Sequence, residues 1–175
     1  MVRKMKRLGI ILVMALVGSG WALEVTDRVK INELYYAGTP LYTYQDQYVE
    51  LYNAGTTTAY LDGALLIRGV DTLASRVFRF PGEVGGTYYP IAPGEFVVVA
   101  QDAYDFFAED SFSVNLLNVP FECYCEHEEE PGDNPNVPNL SDAIDIGVDF
   151  VLDRRMGQVL LATGDSLEVV PCPTG

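Results

Sequence analysis

The chain has 175 residues, which is enough for one domain with a sizeable core and hardly for two. It carries 11 Lys and Arg against 25 Asp and Glu, a formal net charge of −14 at pH 7. A surface this acidic repels the phosphates of nucleic acids and anionic lipid headgroups, so nucleic acid is excluded as a partner.

The first 22 residues have the features of a secretory signal peptide. A basic segment over 3–7 precedes an apolar stretch over 8–17, which is too short to span a bilayer comfortably. Gly20 and Ala22 are small residues at the −3 and −1 positions of a cleavage site after Ala22. The segment 1–22 holds four of the 11 basic residues and no acidic one, so residues 23–175 carry 7 basic against 25 acidic residues, a net charge near −18. We expect a secreted, periplasmic or cell-surface protein with no membrane span after cleavage; the alternative is an uncleaved N-terminal anchor.

Three β-strands are predicted in the first part of the remaining chain. The best specified lies within 46–55, where Val49 and Leu51 alternate with Tyr48, Glu50 and Tyr52 before an Asn-Ala-Gly turn. A similar strand over 29–36 precedes it, with Glu33 in phase with Ile31 and Tyr35. Another, over 59–68, follows it and contains an early Asp-Gly bend. We expect the strand within 46–55 to pair with both of these neighbours.

The rest of the chain is predicted to form further short strands, over 77–80, 96–100, 143–148, 158–162 and 167–170. The continuous apolar run over 96–100 is typical of a central strand that is buried on both faces. A helical turn is predicted over 102–107, followed by a mostly irregular stretch that contains a long acidic loop over 122–140. Eight or nine short strands without an amphipathic helix predict an all-β fold, an antiparallel β-sandwich.

Five motifs occur in order along the chain: Ile31-Asn32-Glu33, Tyr48-Val49-Glu50-Leu51-Tyr52-Asn53, Leu61-Asp62-Gly63-Ala64-Leu65, Phe78-Arg79-Phe80 and Ile91-Ala92-Pro93-Gly94-Glu95-Phe96-Val97-Val98-Val99. Together they resemble the lamin-tail domain, an immunoglobulin-like β-sandwich. The bacterial form of this family has an I-N-E strand, an E-L-Y-N strand, an L-x-G-x-x-L strand and an L-x-P-G turn, where this chain has Ile91-Ala92 in place of the usual Leu. The resemblance covers 29–100 closely and 131–165 loosely. The segments 35–48 and 133–140 also resemble a group of exported bacterial proteins related to lamin tails.

The resemblance implies that residues 23–175 form one lamin-tail-like domain. The family places one more strand after the segment that ends at Val170, so we expect either that this final strand is missing or that a partner completes the sheet. Bacterial lamin-tail domains accompany secreted nucleases and other hydrolases as tethering modules. The resemblance carries over no catalytic residue, since a shared fold does not imply an activity.

Tyrosines are dense in two parts of the chain, and six of them are candidate ligand-binding residues: Tyr35, Tyr36, Tyr42, Tyr44, Tyr88 and Tyr89. Tyrosine offers a rigid contact area with a polar tip, which suits protein or polysaccharide surfaces. The alternative is that these rings fill the faces of the sandwich and pack its loops.

Oxygen ligands cluster in and after the Pro-rich loop: Asp133, Asn134, Asn136, Asp142 and Asp145. Ca²⁺ prefers such ligands, although their spacing does not match an EF-hand loop. The alternative is that Asp and Asn serve the turns that neighbouring Pro and Gly favour.

Three cysteines follow the export signal: Cys123, Cys125 and Cys172. A disulfide from Cys172 to either Cys123 or Cys125 would leave one thiol free. Cys123, Cys125 and His127 alternate, so an extended backbone would place all three on one face, as a Zn²⁺ or copper site requires. Both interpretations remain open.

Glu33 and Glu50 are expected to face each other across adjacent strands, as paired carboxylates do in glycosidases. They belong to the fold's own motif, so we expect them to bond to turn backbone or strand-edge groups instead. We therefore expect a non-catalytic exported module for binding, adhesion or surface display, working without a cofactor on a protein or polysaccharide at the cell surface. The alternatives are an extracellular carbohydrate-binding module and an accessory domain of a secreted hydrolase.

Overall fold

The computed structural model describes residues 24–36, 45–70, 73–123, 133–143, 152 and 158–162. Two short helices, α1 (Glu24–Arg28) and α2 (Phe106–Glu109), accompany the strands. The strands are β1 (Val29–Tyr35), β2 (Tyr48–Asn53), β3 (Ala59–Tyr60), β4 (Leu65–Val70), β5 (Leu73–Arg79), β6 (Pro90–Ile91), β7 (Phe96–Ala100), β8 (Phe121–Glu122), β9 (Ser141–Asp142) and β10 (Gln158–Ala162). Within these segments no helix has the length and apolar character that crossing a membrane requires.

The strands form two four-stranded sheets and one small pair. The first sheet has the order β1-β2-β7-β8, the second has the order β10-β4-β5-β9, and β3 pairs with β6. The pairings are antiparallel, except that β7 and β8 run parallel. This architecture confirms the all-β sandwich that the strand pattern predicts.

The main core lies between the two sheets. Val49 and Leu51 of β2 point into it together with Val97 and Val99 of β7, and the second sheet contributes Leu66 and Phe78. Alternation along each strand places these side chains on one face, and their burial supplies the largest favourable term in folding. Leu65, Ile67 and Val77 form a separate buried cluster with Ala162, because they point to the opposite face of the second sheet.

Strand β2 does not pair with the segment over 59–68, so that expectation is wrong. Its two neighbours are β1 and β7. The reason lies at the Asp62-Gly63 turn, where Gly63 has φ of +65° and an added Cβ would lie 2.6 Å from the backbone nitrogen of Val84. The turn redirects the chain, so that β3 pairs with β6 while β4 enters the second sheet. Glycine tolerates both this conformation and this close approach.

Strand β1 contains a β-bulge that changes which side chains face outward. Ile31 opposes Leu51, but Glu33 opposes Glu50, so Asn32 is the extra residue. The prediction that Ile31 and Glu33 share a face is therefore wrong: Ile31 packs against the core, whereas Glu33 lies exposed on the outer face.

Other elements differ from the predictions mainly in their bounds. The strand expected over 77–80 is the longer β5, and the helical turn expected over 102–107 is α2. The run over 96–100 is flanked by β2 and β8 as expected of a central strand, but Phe96 is 50% exposed and Val98 is half-buried. Burial on both faces is thus incomplete. The segment over 158–162 is β10, as predicted, whereas 1–22, 124–132, 144–148 and 167–170 lie outside the described residues.

Two buried amide side chains hold the ends of β2. At its C-terminal end, Asn53 is fully buried; its Nδ2 donates to the carbonyl oxygens of Thr57 (3.0 Å) and Ile91 (2.8 Å), and its Oδ1 accepts from the amide of Gly55 (2.9 Å). Just before β2, Gln47 bonds both the amide and the carbonyl of Leu152 at 2.8 and 3.1 Å. These amides satisfy backbone groups that would otherwise be buried without partners.

Replacing Asn53 by Ala should lower the free energy of unfolding by about 3 kcal/mol, because one backbone amide and two carbonyls lose their partner in a buried site. Urea unfolding followed by circular dichroism measures this change. Asn139→Ala is the matched control, since Asn139 is exposed and donates one bond, to Asp133. This substitution should change the free energy of unfolding by no more than about 0.5 kcal/mol. Equal costs for the two variants would contradict the role assigned to Asn53.

Candidate functional site

Strand β2 presents Tyr48, Glu50 and Tyr52 on the outer face of the first sheet, opposite to its core-facing residues. Each tyrosine stacks with a ring from a neighbouring strand. Tyr35 of β1 lies parallel to Tyr48, with ring centroids 5.2 Å apart and planes 9° apart. Tyr52 packs on Phe96 of β7 with centroids 4.6 Å apart. Cross-strand pairs of this kind hold the rings in fixed positions.

Two glutamates lie between these aromatic pairs. Glu33 and Glu50 are direct cross-strand partners in the register of β1 and β2, which confirms that they face each other. We expected bonds to turn backbone or to strand-edge groups; in the described part of the chain, both glutamates bond to side chains of the two strands. Glu33 accepts a hydrogen bond from the Tyr48 hydroxyl (2.9 Å), and Glu50 accepts one from Nδ2 of Asn32 (2.6 Å). Like charges placed directly opposite each other destabilise a sheet.

A groove of about 310 Å³ opens beside Glu50 on this face. The sheet contributes Tyr48, Glu50 and Val98 to its lining. The opposite wall comes from the segment over 103–120, through residues Val114, Asn115, Leu116 and Val119. The groove therefore combines one aromatic ring, one carboxylate, one amide and several aliphatic side chains.

The segment over 103–120 is held against the sheet by apolar packing and by hydrogen bonds. Phe106 and Leu116 are buried in a cluster with Ala100, against which Tyr48 and Val98 also pack. Within the segment, the amide of Leu116 donates to the carbonyl of Tyr104 at 2.8 Å. The Ser113 hydroxyl reaches back to buried Asp46 at 3.0 Å. Because the wall is anchored in this way, the groove is preformed in the structure.

The electrostatic environment of the face is negative. The pKa of Tyr48 is raised from 10.0 to about 12, first by burial and then by its hydrogen bond to Glu33 and the charges of Glu33 and Glu50. Burial, together with the charges of Asp46 and Asp110, also raises the pKa of the Tyr35 hydroxyl. Both phenols stay neutral, and the Tyr48 hydroxyl remains a donor to Glu33 over the physiological range.

The described candidate tyrosines do not lie together in one site. Tyr35 lies in the stacked pair on the outer face, and Tyr36 is an exposed residue that follows it. Tyr89 packs inward against Phe121, with centroids 5.4 Å apart, whereas Tyr88 is 84% exposed on a loop whose amides bond the Asp62 carboxylate. Tyr42 and Tyr44 lie outside the described residues.

The predicted Ca²⁺ ligands have structural contacts where they are described. Asn134 donates to the carbonyls of Ala103 and Leu117 and accepts from the amide of Asn136, and Asp133 accepts from Asn139. Asp142 lies in β9, and Asp145 lies outside the described residues. Within the described ranges, no three His, Cys, Asp or Glu side chains are grouped so that they could hold a metal ion. The turn-forming interpretation explains the bond between Asn134 and Asn136, whereas the bonds to Ala103 and Leu117 join Asn134 to a distant segment.

Cys123 follows β8 and is a free, buried thiol. Its pKa is raised well above the ordinary value, first by burial and then by the charges of Asp102 and Glu122. A protonated, inaccessible thiol is a poor nucleophile and a poor metal ligand. Cys125, His127 and Cys172 lie outside the described residues, so a disulfide between Cys125 and Cys172 stays a prediction.

The chain matches no family model and no curated protein. It is similar to the crystal structure of a DUF4876 family protein from Bacteroides thetaiotaomicron VPI-5482, with 27% sequence identity over 65% of this chain and a TM-score of 0.47. The chain spans about one third of the length of that protein, since the match covers 33% of it.

Sequence reasoning weighs Glu50, as one of a carboxylate pair, and counts Tyr48 among the dense tyrosines, but it does not combine the two into one site. The alternation of Tyr48, Glu50 and Tyr52 on one face of a strand is the signal that could have identified the sheet side of the site. Asn115 and Val119 gave no signal, because an irregular segment shows no periodicity.

The raised pKa of Tyr48 gives a testable pH dependence. Because its folded-state value of about 12 exceeds the ordinary value of 10.0, the stability that Tyr48 contributes is complete below pH 10 and is lost as the pH rises through 12. Glu33→Gln should lower the pKa of Tyr48 by removing a nearby charge, and Glu83→Gln, on an exposed loop, should leave it unchanged. Nuclear magnetic resonance of ¹³Cζ-labelled tyrosine measures the titration. A pKa near 10 in the native chain would contradict the assigned environment.

The free thiol of Cys123 should resist alkylation in the native chain and react fully after unfolding in urea. Iodoacetamide labelling followed by fragment-ion mass spectrometry separates it from the nearby Cys125. Native labelling of Cys123 at the rate of a small thiol, or its recovery in a disulfide, would contradict its position in the core.

Proposed function

We propose that the chain is an exported, non-catalytic binding module that holds a partner on the outer face of its first sheet. The proposal keeps the interpretation of residues 1–22 as a signal peptide and of residues 23–175 as a lamin-tail-like domain. It places the protein outside the cytoplasm, where an acidic surface display or adhesion module would meet a protein or polysaccharide. We propose no cofactor for this binding.

The observation that carries the proposal is the groove beside Glu50, with its rigid walls and its mixed lining. Binding sites in proteins combine apolar and aromatic walls with a few polar groups that fix the orientation of the ligand. The stacked pair of Tyr35 and Tyr48 supplies a ring held in place before binding, which lowers the entropic cost of ordering side chains.

The contacts of the two glutamates favour binding over catalysis. A glycosidase needs one carboxyl group as general acid and one as nucleophile or base. Here the two groups are bonded by neutral donors of the same face, Tyr48 and Asn32. Glu33 is exposed, and the groove beside Glu50 has no second carboxylate among its lining residues.

A second candidate function is saccharide binding, favoured by one combination in the groove. The Tyr48 ring offers a stacking face for the C–H side of a sugar, and Asn115 and Glu50 offer amide and carboxylate groups for its hydroxyls. The sugar would then stack on Tyr48, whereas the sequence alone favours Tyr42 and Tyr44.

The proposal is tested with the purified chain and a panel of defined ligands. The panel contains basic, neutral and acidic octapeptides and soluble oligosaccharides of glucose and N-acetylglucosamine, and calorimetry measures each dissociation constant. We expect saturable binding of one ligand class, weakened at least about tenfold by Tyr48→Leu, which removes the ring of the groove. Tyr88→Leu is the matched control, because Tyr88 is highly exposed on another loop, and should leave the affinity unchanged.

Binding lost in Tyr88→Leu and retained in Tyr48→Leu would move the site away from the first sheet and contradict the proposal. Failure of the whole panel to bind would contradict it as well. Mass spectrometry of the bound ligand after overnight incubation should recover it intact, and a cleaved ligand would contradict the non-catalytic assignment.

A further inference from the structure

We infer that the groove beside Glu50 binds the ammonium group of a lysine side chain presented by a basic polypeptide. This inference rests on the proposed function and specifies its partner. It follows from four observations: the carboxylate in the groove with its cross-strand neighbour, the aliphatic walls, the aromatic ring and the charge of the chain.

The carboxylate of Glu50 gives the groove its anionic end. Glu50 lines the groove, and Glu33 lies directly across from it on β1. Facing each other on a sheet, the two charges repel in the unliganded protein, and a cation placed beside them relieves that repulsion. A neutral sugar would leave the repulsion in place, so the pair favours a cationic occupant over a saccharide.

The walls suit an alkyl stem. Val98 on the sheet faces the side of the groove formed by Val114 and Val119. Lysine carries its charge on four methylene groups, which bury along apolar surface while the ammonium reaches a polar partner. The volume of about 310 Å³ is roughly twice that of a cavity that holds benzene, about 150 Å³, so a lysine side chain and bridging waters fit together.

The ring of Tyr48 completes the site. Tyr35 occupies the side of this ring that faces β1, at 5.2 Å, so the opposite side faces β7 and the groove. The face of an aromatic ring attracts an ammonium group within about 6 Å. The Tyr48 hydroxyl donates to Glu33 and Asn32 donates to Glu50, so the ligand shares the Glu50 carboxylate with Asn32.

The charge of the whole chain supports a basic partner. With a net charge of −14, the chain attracts a basic segment over distances of about one Debye length and speeds its association. This field acts on every cation alike. The groove adds the short-range selection for a side chain with an apolar stem and a compact charge.

The test compares two isosteric charge removals in the full chain. Calorimetric titration with octalysine at physiological ionic strength should give saturable binding that Glu50→Gln weakens about tenfold. Glu83→Gln removes the same charge from an exposed loop outside the groove and should change the affinity less than twofold. Octalysine acetylated on every Nε keeps the stems and loses the charges, and it should not bind the native chain. This last comparison needs no protein variant.

Equal weakening by Glu50→Gln and Glu83→Gln would show that only the net charge matters and would overturn the inference. Binding of acetylated octalysine as tight as that of octalysine would overturn it too. If octalysine does not bind but a sugar does, and Tyr48→Leu abolishes the sugar binding, the inference fails while the proposed function stands. If Tyr48→Leu changes the binding of no ligand, the proposed function fails with it.

Discussion

Hydrogen bonding of β2 on both of its edges is the constraint on which the rest of the structure depends. Because β1 and β7 hold it on either side, its alternation cannot slip by one residue without exchanging core and surface. Val49 and Leu51 are thereby committed to the core, and Tyr48, Glu50 and Tyr52 to the outer face. The buried amides of Gln47 and Asn53 secure the ends of the strand. The position of the candidate site is therefore a consequence of the same pairing that builds the core.

The outer face contains one arrangement that is unfavourable for stability. The bulge at Asn32 brings Glu33 opposite Glu50. In a regular strand, Asn32 would occupy that position. Bulges redirect side chains and occur near functional sites. Proteins accept local conflicts of this kind where function requires them and compensate elsewhere in the fold. Here the compensation includes neutral donors to both carboxylates and two stacked aromatic pairs.

Local patterns in the sequence identified strands well and their partners poorly. The strand within 46–55 was predictable from its alternation, and the segment over 158–162 from its short apolar run before a Thr-Gly-Asp turn, because both are local signals. The pairing of β2 with β7 was not, since the four strands β3 to β6 lie between them in the chain. The path of those strands depends on the turn at Gly63, which lies in close contact with Val84. The bulge at Asn32 leaves no mark in the hydrophobic pattern. The sequence therefore predicts that Ile31 and Glu33 share a face of β1, whereas only Glu33 lies on the same face as Glu50. The wall of the groove could not be predicted either, because its residues come from an irregular segment that is held by tertiary packing against Ala100.

The location of the bound ligand is the central claim, and chemical-shift mapping tests it most directly. In a titration of the ¹⁵N-labelled chain with octalysine, the largest amide shifts should fall on residues that line the groove, in particular Glu50, Val98 and Asn115. The exposed loop around Glu83 should shift little. Shifts spread evenly over the acidic residues, or concentrated on a surface away from β2, would contradict the account.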